Sequence, residues 1–593
     1  MPYLPDLNET MQTRAATEIF GGYNHNLKIN EGEWYDEENI SSAFYPLFSQ
    51  RGRRATYQPN MVNPQGLLAK DALAWVDGST LYYDGYPIDG IELSTAEEDC
   101  PKQMVSMGAY LCVFPDGVYL NTANLNDKGS MAATYKSIEN AAIKYIPCRL
   151  DGTAYENVTV SDTAPASPEN GMLWLDTSSS PHVLKQFSQT SGMWVQIPTV
   201  YVRIEATGIG KLFAEGDGVT ISGAAYGESG DMHDQINALN TDIIIKGKGD
   251  DYIIVVGVLD EAVTQESGAL TIERKIPRMS YVCEANNRLW GCYYGMSEGK
   301  MLNEIYACKL GDFKNWNCYA GISSDSYRAS VGTDGEFTGC IAYLGYPLFF
   351  KENCIHKLYG NMPSNYQLQN TTCRGVQRGS AASLAIANEV LYYKSRSDVC
   401  AYDGSLPVGI SEQFGIELYS RAVAGTHGGK YYISMKDSKG AWHLFVYDTM
   451  RGVWHREDGT HALAFTAWGD ELFYIDADKN AIIAENGTTG TMEDIISWKA
   501  ESGMIGYEII DRQYVSRFNI RMRLGEDAEC SMYMMYDSDG KWIYEGTVNG
   551  GAMDSFVIPV IPRRCDHFRV KLEGKGDIKI YSIAKIIEQG SDV

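Results

Sequence analysis

Four short stretches decide the fold: Tyr346-Pro347-Leu348-Phe349-Phe350, Val390-Leu391-Tyr392-Tyr393, Lys430-Tyr431-Tyr432-Ile433 and Glu471-Leu472-Phe473-Tyr474. Each is an apolar, aromatic-rich run too short for a helix and preceded by Gly, Asn or Asp, so each reads as a buried β-strand. Their centres, Leu348, Leu391, Tyr431 and Leu472, lie 43, 40 and 41 residues apart. Four-stranded β-propeller blades repeat at about 40–45 residues. Each core strand is followed by a second that ends in a Tyr-Gly or Tyr-Asp turn: Leu358-Tyr359-Gly360, Ala401-Tyr402-Asp403-Gly404 and Val446-Tyr447-Asp448. Working outward, Leu81, Leu111 and Leu289 centre similar strands, which gives about seven blades, although the gaps of 30 and 59 residues depart from the period. A β-sandwich would also space hairpins in this way. Closing a ring of blades removes exposed sheet edges, which gives a blade repeat its physical reason.

The whole composition agrees with an all-β chain. In 593 residues there are 40 Tyr and 59 Gly, and the apolar runs are short. That length predicts several domains. The net charge of −26 argues against whole-surface binding to nucleic acid or an anionic membrane, since both would be repelled. It is compatible with duplex DNA passing without sticking. The 13 Cys are odd in number and none is spaced CxxC, so they read as reduced, mostly buried thiols. Met1 to Leu7 lacks the charged and apolar regions of a secretory signal, and the longest apolar run, near Ile253 to Leu259, is too short to span a bilayer. The expectation is a soluble protein with no membrane partner.

Along the chain, residues 1–60 read as an extended N-terminal arm ending in Arg51-Gly52-Arg53-Arg54, and 61–122 as the first blades. Residues 123–272 interrupt the period and read as an inserted lobe. It holds a small β-module around Leu173-Trp174-Leu175-Asp176 and a short helix from Asp231 to Leu239 with an Asp N-cap. Residues 273–490 carry the remaining blades. In 491–593, Phe518, Ile520, Met522 and Leu524 alternate with Arg517, Asn519, Arg521 and Arg523, and Phe568, Val570 and Leu572 repeat the pattern. This predicts a C-terminal antiparallel β-sandwich.

Signatures of catalysis are missing: there is no GxSxG, HExxH or Walker loop, and no GxGxxG between a strand and a helix. His455 and His461 are six apart across a Gly, a loop spacing rather than a metal-ligand pair on a helix. The acidic turns Asp537-Ser538-Asp539-Gly540 and Asp476-Ala477-Asp478-Lys479-Asn480 miss the required Gly or Glu of a calcium loop and read as hairpin turns. A propeller can carry a glycosidase, but no carboxylate pair is singled out. The expectation is no enzyme, no metal and no cofactor. Two groups remain as candidate contact sites. Arg51, Arg53 and Arg54 read either as a basic arm that docks to an acidic neighbouring subunit or to DNA phosphates, or as a solvated charge run. Trp174 and Trp194 could stack on sugar rings, against the alternative that they fill the core of a small lobe.

Several of these stretches together resemble a known family. Gly375-Val376-Gln377-Arg378-Gly379-Ser380, Ala387-Asn388-Glu389-Val390-Leu391-Tyr392-Tyr393 and Val399-Cys400-Ala401-Tyr402-Asp403-Gly404 resemble blades of the tail nozzle, packaged-DNA stabilisation and tail tubular B-type proteins of short-tailed bacteriophages. Asn287-Arg288-Leu289-Trp290-Gly291 with Leu310-Gly311-Asp312-Phe313, and Pro562-Arg563-Arg564-Cys565-Asp566-His567-Phe568-Arg569-Val570, are similar to the same family. Asn170-Gly171-Met172-Leu173-Trp174-Leu175-Asp176-Thr177 is similar to small β-modules of phage virion proteins. The resemblance covers roughly residues 270–590 and rests on the grammar of the blades. It implies a structural virion protein assembled in the host bacterial cytoplasm. Such a protein forms a hexameric ring, a homo-oligomer, docked below the portal and adaptor proteins and above a distal tail needle, fibre or spike. The ring would retain the packaged genome and pass transiting dsDNA at ejection. A receptor- or glycan-binding tail protein on the same scaffold is the alternative.

Overall fold

The computed structural model describes residues 12–95, 102–297, 299–487, 489–506, 513–561 and 563–589. The fold is an all-β propeller with an inserted lobe and a C-terminal β-domain. Seven sheets are blades: six have four consecutive strands in meander order, and the last has five, one of them Ala55–Gln58 from the N-terminal region. All seven predicted centres, Leu81, Leu111, Leu289, Leu348, Leu391, Tyr431 and Leu472, are at most 1% exposed. Six of them stand in the second strand of their blade: Tyr110–Phe114, Arg288–Ser297, Tyr346–Lys351, Val390–Lys394, Lys430–Asp437 and Glu471–Asp476.

The two irregular gaps now have causes. Leu81 lies in Thr80–Tyr83, the third strand of the first blade, whereas the second is Ala72–Asp77. From Ala74, at the middle of that strand, to Leu111 is 37 residues, close to the period. The wide gap after Leu289 is filled by an unusually long hairpin, Arg288–Ser297 with Lys300–Ala307, and by the loop 308–326 that precedes Tyr327–Ser330.

The chain divides into two compact units. The first comprises Met1–Met104, Phe349–His356 and Asn370–Val593. In it the last blade, Ala462–Trp468, Glu471–Asp476 and Ala481–Ala484, is completed by Ala55–Gln58 from the N-terminal region. Thr491–Met492 pairs with the other edge of that strand, so the blade extends just past residue 490. Trp75, Leu67, Phe473, Ile475 and Ile482 form one core between the first and last blades. Phe414, Tyr431, Phe445 and Trp454 form another, reached by Tyr23.

Residues 12–50 are not the extended arm that their polarity suggested. Gln12–Thr17, Gly22–Tyr23, Glu33–Glu38, Ile40–Ser41 and Phe48–Gln50 are strands of a ten-stranded sheet shared with the C-terminal region. Gln513–Tyr536 is the spine of this sheet. It pairs along one edge with Ile543–Pro559, and along the other first with Ile578–Gln589 and then with Phe568–Lys575. The predicted alternation holds: Phe518, Ile520, Met522 and Leu524 are buried, with Phe568, Val570 and Leu572 in the same core. Trp34 and Phe48 from the N-terminal strands pack into it, with their rings 5.2 Å apart. A polar sequence can do this because only alternate residues of a sheet strand need be apolar. Burial of Glu37 hides the remaining signal.

The second unit comprises Val105–Leu348 and Lys357–Gln369. Its inserted lobe has strands from Ala133–Lys136 to Thr271–Arg274, arranged as a four-stranded and a five-stranded sheet around Ile143, Tyr145, Val202, Ile204, Ile253 and Ile272. Helix α1, Asp231–Asn237, appears where predicted, but its N-cap is Gly230 and Asp231 is its first residue. The small module is a separate four-stranded sheet of Val158–Ser161, Leu173–Asp176, Val183–Ser188 and Met193–Gln196. One of its faces packs Leu173, Leu175 and Leu184 against Tyr155, Val200 and Val258.

Candidate functional site

The arginine run proves to be internal. Arg51 and Arg54 are 5% and 2% exposed, and only Arg53 faces solvent. Arg54 pairs with Glu457, Asp458 and Glu485, and its Nη1 donates to Thr460 Oγ1 at 3.2 Å. Its Nε stands 2.8 Å from Glu485 Oε2 without hydrogen-bond alignment, so that contact is Coulombic. Arg51 donates from Nε to Asn39 Oδ1 at 2.7 Å and pairs with Glu493. Arg53 donates from Nε to the Glu493 carbonyl at 2.8 Å. The expected inter-subunit docking by Arg51, Arg53 and Arg54 is therefore corrected. These side chains fasten the entrance of the strand Ala55–Gln58 to its own blade, and the acidic partner is the same chain.

Four carboxylates, those of Glu457, Asp458, Glu485 and Glu493, surround the two guanidinium groups and leave an excess of negative charge. Burial, and then the neighbouring Glu457, push Glu485 well above the ordinary carboxylate range against the pull of Arg54. Asp458 is held far below that range: burial opposes this, but Arg54, the Thr460 hydroxyl and Arg51 outweigh it.

The exposed face of the small module holds the predicted tryptophans. Register pairs Trp174 with Lys185 and Phe187 with Trp194, so all four point to the side opposite Leu173 and Leu175. Trp194 meets Trp174 edge-on at 5.3 Å and Phe187 at 5.3 Å. The two tryptophans are not equivalent. Trp174 is 6% exposed and its Nε1 donates to the Ser161 carbonyl at 3.0 Å, so it is a support. Trp194 and Phe187 are half-buried and supply the accessible rings. Lys185 Nζ lies 4.8 Å from the centre of the Trp174 ring and 2.7 Å from Asp176 Oδ2. That ammonium and the Ser178 hydroxyl bring the Asp176 carboxyl down to about 2. The result is an aromatic step edged by a fixed cation and anion, a form that suits the apolar face and hydroxyls of a sugar. Sequence reasoning missed Phe187, which strand register alone could have placed beside Trp194.

The other motifs stay structural. Asp537 Oδ1 accepts from the Asp566 amide at 2.7 Å, and Asp476 Oδ1 accepts from the amides of Asp478 and Lys479 at 3.1 Å each, as turn carboxylates do. His455 bonds Glu37 at 2.9 Å, while His461 stacks on Trp442 at 3.8 Å. Twelve cysteines are free among the described residues, and ten of them are buried. Cys100 lies outside the described residues.

No family model and no curated protein matches the chain. Among solved structures, it is similar to an exo-β-1,3-galactanase from Phanerochaete chrysosporium at 9% identity and a TM-score of 0.21, over 51% of this chain and 94% of that one. It is similar to a family 43 arabinoxylan arabinofuranohydrolase from Bacillus subtilis at 10% identity and a TM-score of 0.16, over 51% and 94%. It is also similar to the extracellular domain of a hybrid two-component system from B. thetaiotaomicron at 8% identity and a TM-score of 0.15, over 91% and 94%. The expectation that the chain is not an enzyme is corrected on this finding. Solved structures that it resembles include glycoside hydrolases. With TM-scores this low, no catalytic residue or substrate passes from them to this chain.

Proposed function

We propose that this chain is a structural protein of a tailed-phage virion, one copy of a ring in the tail that retains packaged DNA and passes it at ejection. The observation that carries the reading is the order of parts. A series of blades is followed by a terminal β-domain, and the resemblance to tail nozzle proteins rests on these two parts. A second feature supports it: the N-terminal strands are woven into the C-terminal sheet, and Ala55–Gln58 completes the last blade. A chain fastened at both ends resists unravelling under load. Cryo-electron microscopy of virions tests this reading directly. A symmetric ring coaxial with the DNA channel is the expected result, and density confined to peripheral spikes would refute it.

The aromatic step favours a second reading, in which the inserted module touches host-surface glycan. Trp194, Phe187 and Lys185 supply the stacking and polar groups. Tryptophan fluorescence titrated with cell-wall oligosaccharides should respond in the wild type and not in Trp194→Ala. An equal response in the variant would remove the module from the interaction.

A further inference from the structure

His182, Asp231 and Asp260 come from three separate elements, and one ligand atom from each lies within 4.8 Å of the other two. We propose that they bind a divalent transition-metal ion of the zinc class, which staples the small module to the inserted lobe. His182 immediately precedes Val183–Ser188, the module strand that carries Lys185 and Phe187. Asp231 opens α1, and Asp260 follows the lobe strand Tyr252–Val256.

The donor set fits the ion. One imidazole and two carboxylates match zinc with an open fourth position for water. Ligand atoms about 2.1 Å from a tetrahedral ion stand about 3.4 Å from one another. His182 Nδ1 and Asp260 Oδ1 are 2.7 Å apart, so a small side-chain rotation opens the space. His182 and Asp260 side chains are 12% and 17% exposed, whereas Asp231 is exposed, which leaves a solvent entry on one side.

A supporting residue is in place as well. Gln235, one turn along α1 from Asp231, donates from Nε2 to Asp260 Oδ1 at 2.8 Å and accepts the Asp260 amide at 3.0 Å. It fixes both the backbone and the carboxylate of that ligand, as outer-shell partners of metal sites do. Among the described residues, neither aspartate forms an ion pair with a lysine or arginine. Two carboxylates therefore meet a single imidazole, a charge imbalance that a dication would cancel.

Calorimetric titration of EDTA-treated full-length protein with zinc chloride tests the site, with cobalt absorption as the readout of nitrogen and oxygen ligation. Saturable, stoichiometric binding is expected, and it should be lost in His182→Ala. Gln235→Ala should weaken it by about 10- to 100-fold. Asp231→Asn alters an exposed side chain and leaves the fold intact, so it decides the matter if His182→Ala unfolds. Loss of affinity in Asp231→Asn supports the site, whereas undiminished affinity, or a wild type that shows no saturable uptake, overturns it.

Discussion

Replacing Arg54 by Met keeps much of the volume of the side chain and removes its charge. The guanidinium touches Glu457, Asp458 and Glu485 and is 2% exposed, so the loss leaves buried carboxylates facing one another. Breaking a buried ion pair from one side costs about 3–5 kcal/mol, and Arg54→Met should fall in that range. Urea unfolding followed by tryptophan fluorescence reads it, because Trp454 packs in the same unit. Arg53→Met, at the exposed neighbour, is the control and should change stability by less than about 0.5 kcal/mol. Glu485→Gln separates the charges. If Glu485 is already protonated, an amide replaces one neutral group by another and should cost under about 1 kcal/mol. The pH dependence has a defined sign. Because the folded state raises Glu485, its contribution is fully present below its ordinary value of 4.5 and is lost as pH rises toward the raised one. Asp458 is depressed, so its contribution is present above 3.8 and is lost as pH falls below that value. Glu485→Gln should flatten the decline on the alkaline side only. A loss below about 1 kcal/mol in Arg54→Met would refute the claim that this knot holds the closing strand.

Three further outcomes follow from local packing. Trp174→Ala should destabilise the small module by about 3–5 kcal/mol, since it removes a buried indole, and hydrogen exchange across 158–196 should rise there first; unchanged exchange would contradict its role as a support. Gly210→Ala should destabilise the inserted lobe by about 1–3 kcal/mol or more, because a Cβ would stand 1.9 Å from the Gly249 carbonyl oxygen; an unaltered melting curve would count against the packing described. The Cys373 thiol, pushed up to about 11 by burial and then by Cys354 and Cys400, should label slowly with a disulfide reagent at pH 7, and about tenfold faster for each unit of added pH. Complete labelling within seconds at neutral pH would show that it is not held in that environment.

The blades were legible because their signal is local. Leu391 with Tyr393, and Leu472 with Phe473, bury whole strands, and a buried strand must be apolar along its length. The spacing of Gly-rich turns then gives the period. The N-terminal region was not legible because its C-terminal partners are more than 450 residues away. Gln12 pairs with Glu588, Trp34 with Ser502 and Phe48 with Ile580, in a sheet whose other five strands lie past residue 490. The Arg51-Gly52-Arg53-Arg54 run misled for a related reason. A charge cluster reads as surface unless its counter-charges are known, and Glu457, Asp458, Glu485 and Glu493 are remote in sequence. His182, Asp231 and Asp260 follow no motif spacing at all, and only the packing of three elements brings them together.

Where the net charge resides bears on the proposed role. Among the described residues, eight lysines and arginines and nine aspartates and glutamates are buried, so the interior is close to neutral. Among the described residues, the excess of negative charge therefore lies outside the buried core. A surface of that sign gains no counterion release from a DNA backbone and repels it at short range, and the repulsion weakens as salt rises. A protein built to grip DNA would need the opposite distribution, with its arginines outward. Here Arg51, Arg54, Arg274 and Arg288 are spent inside, on internal carboxylates and carbonyls. That placement supports the proposal of a part past which DNA slides.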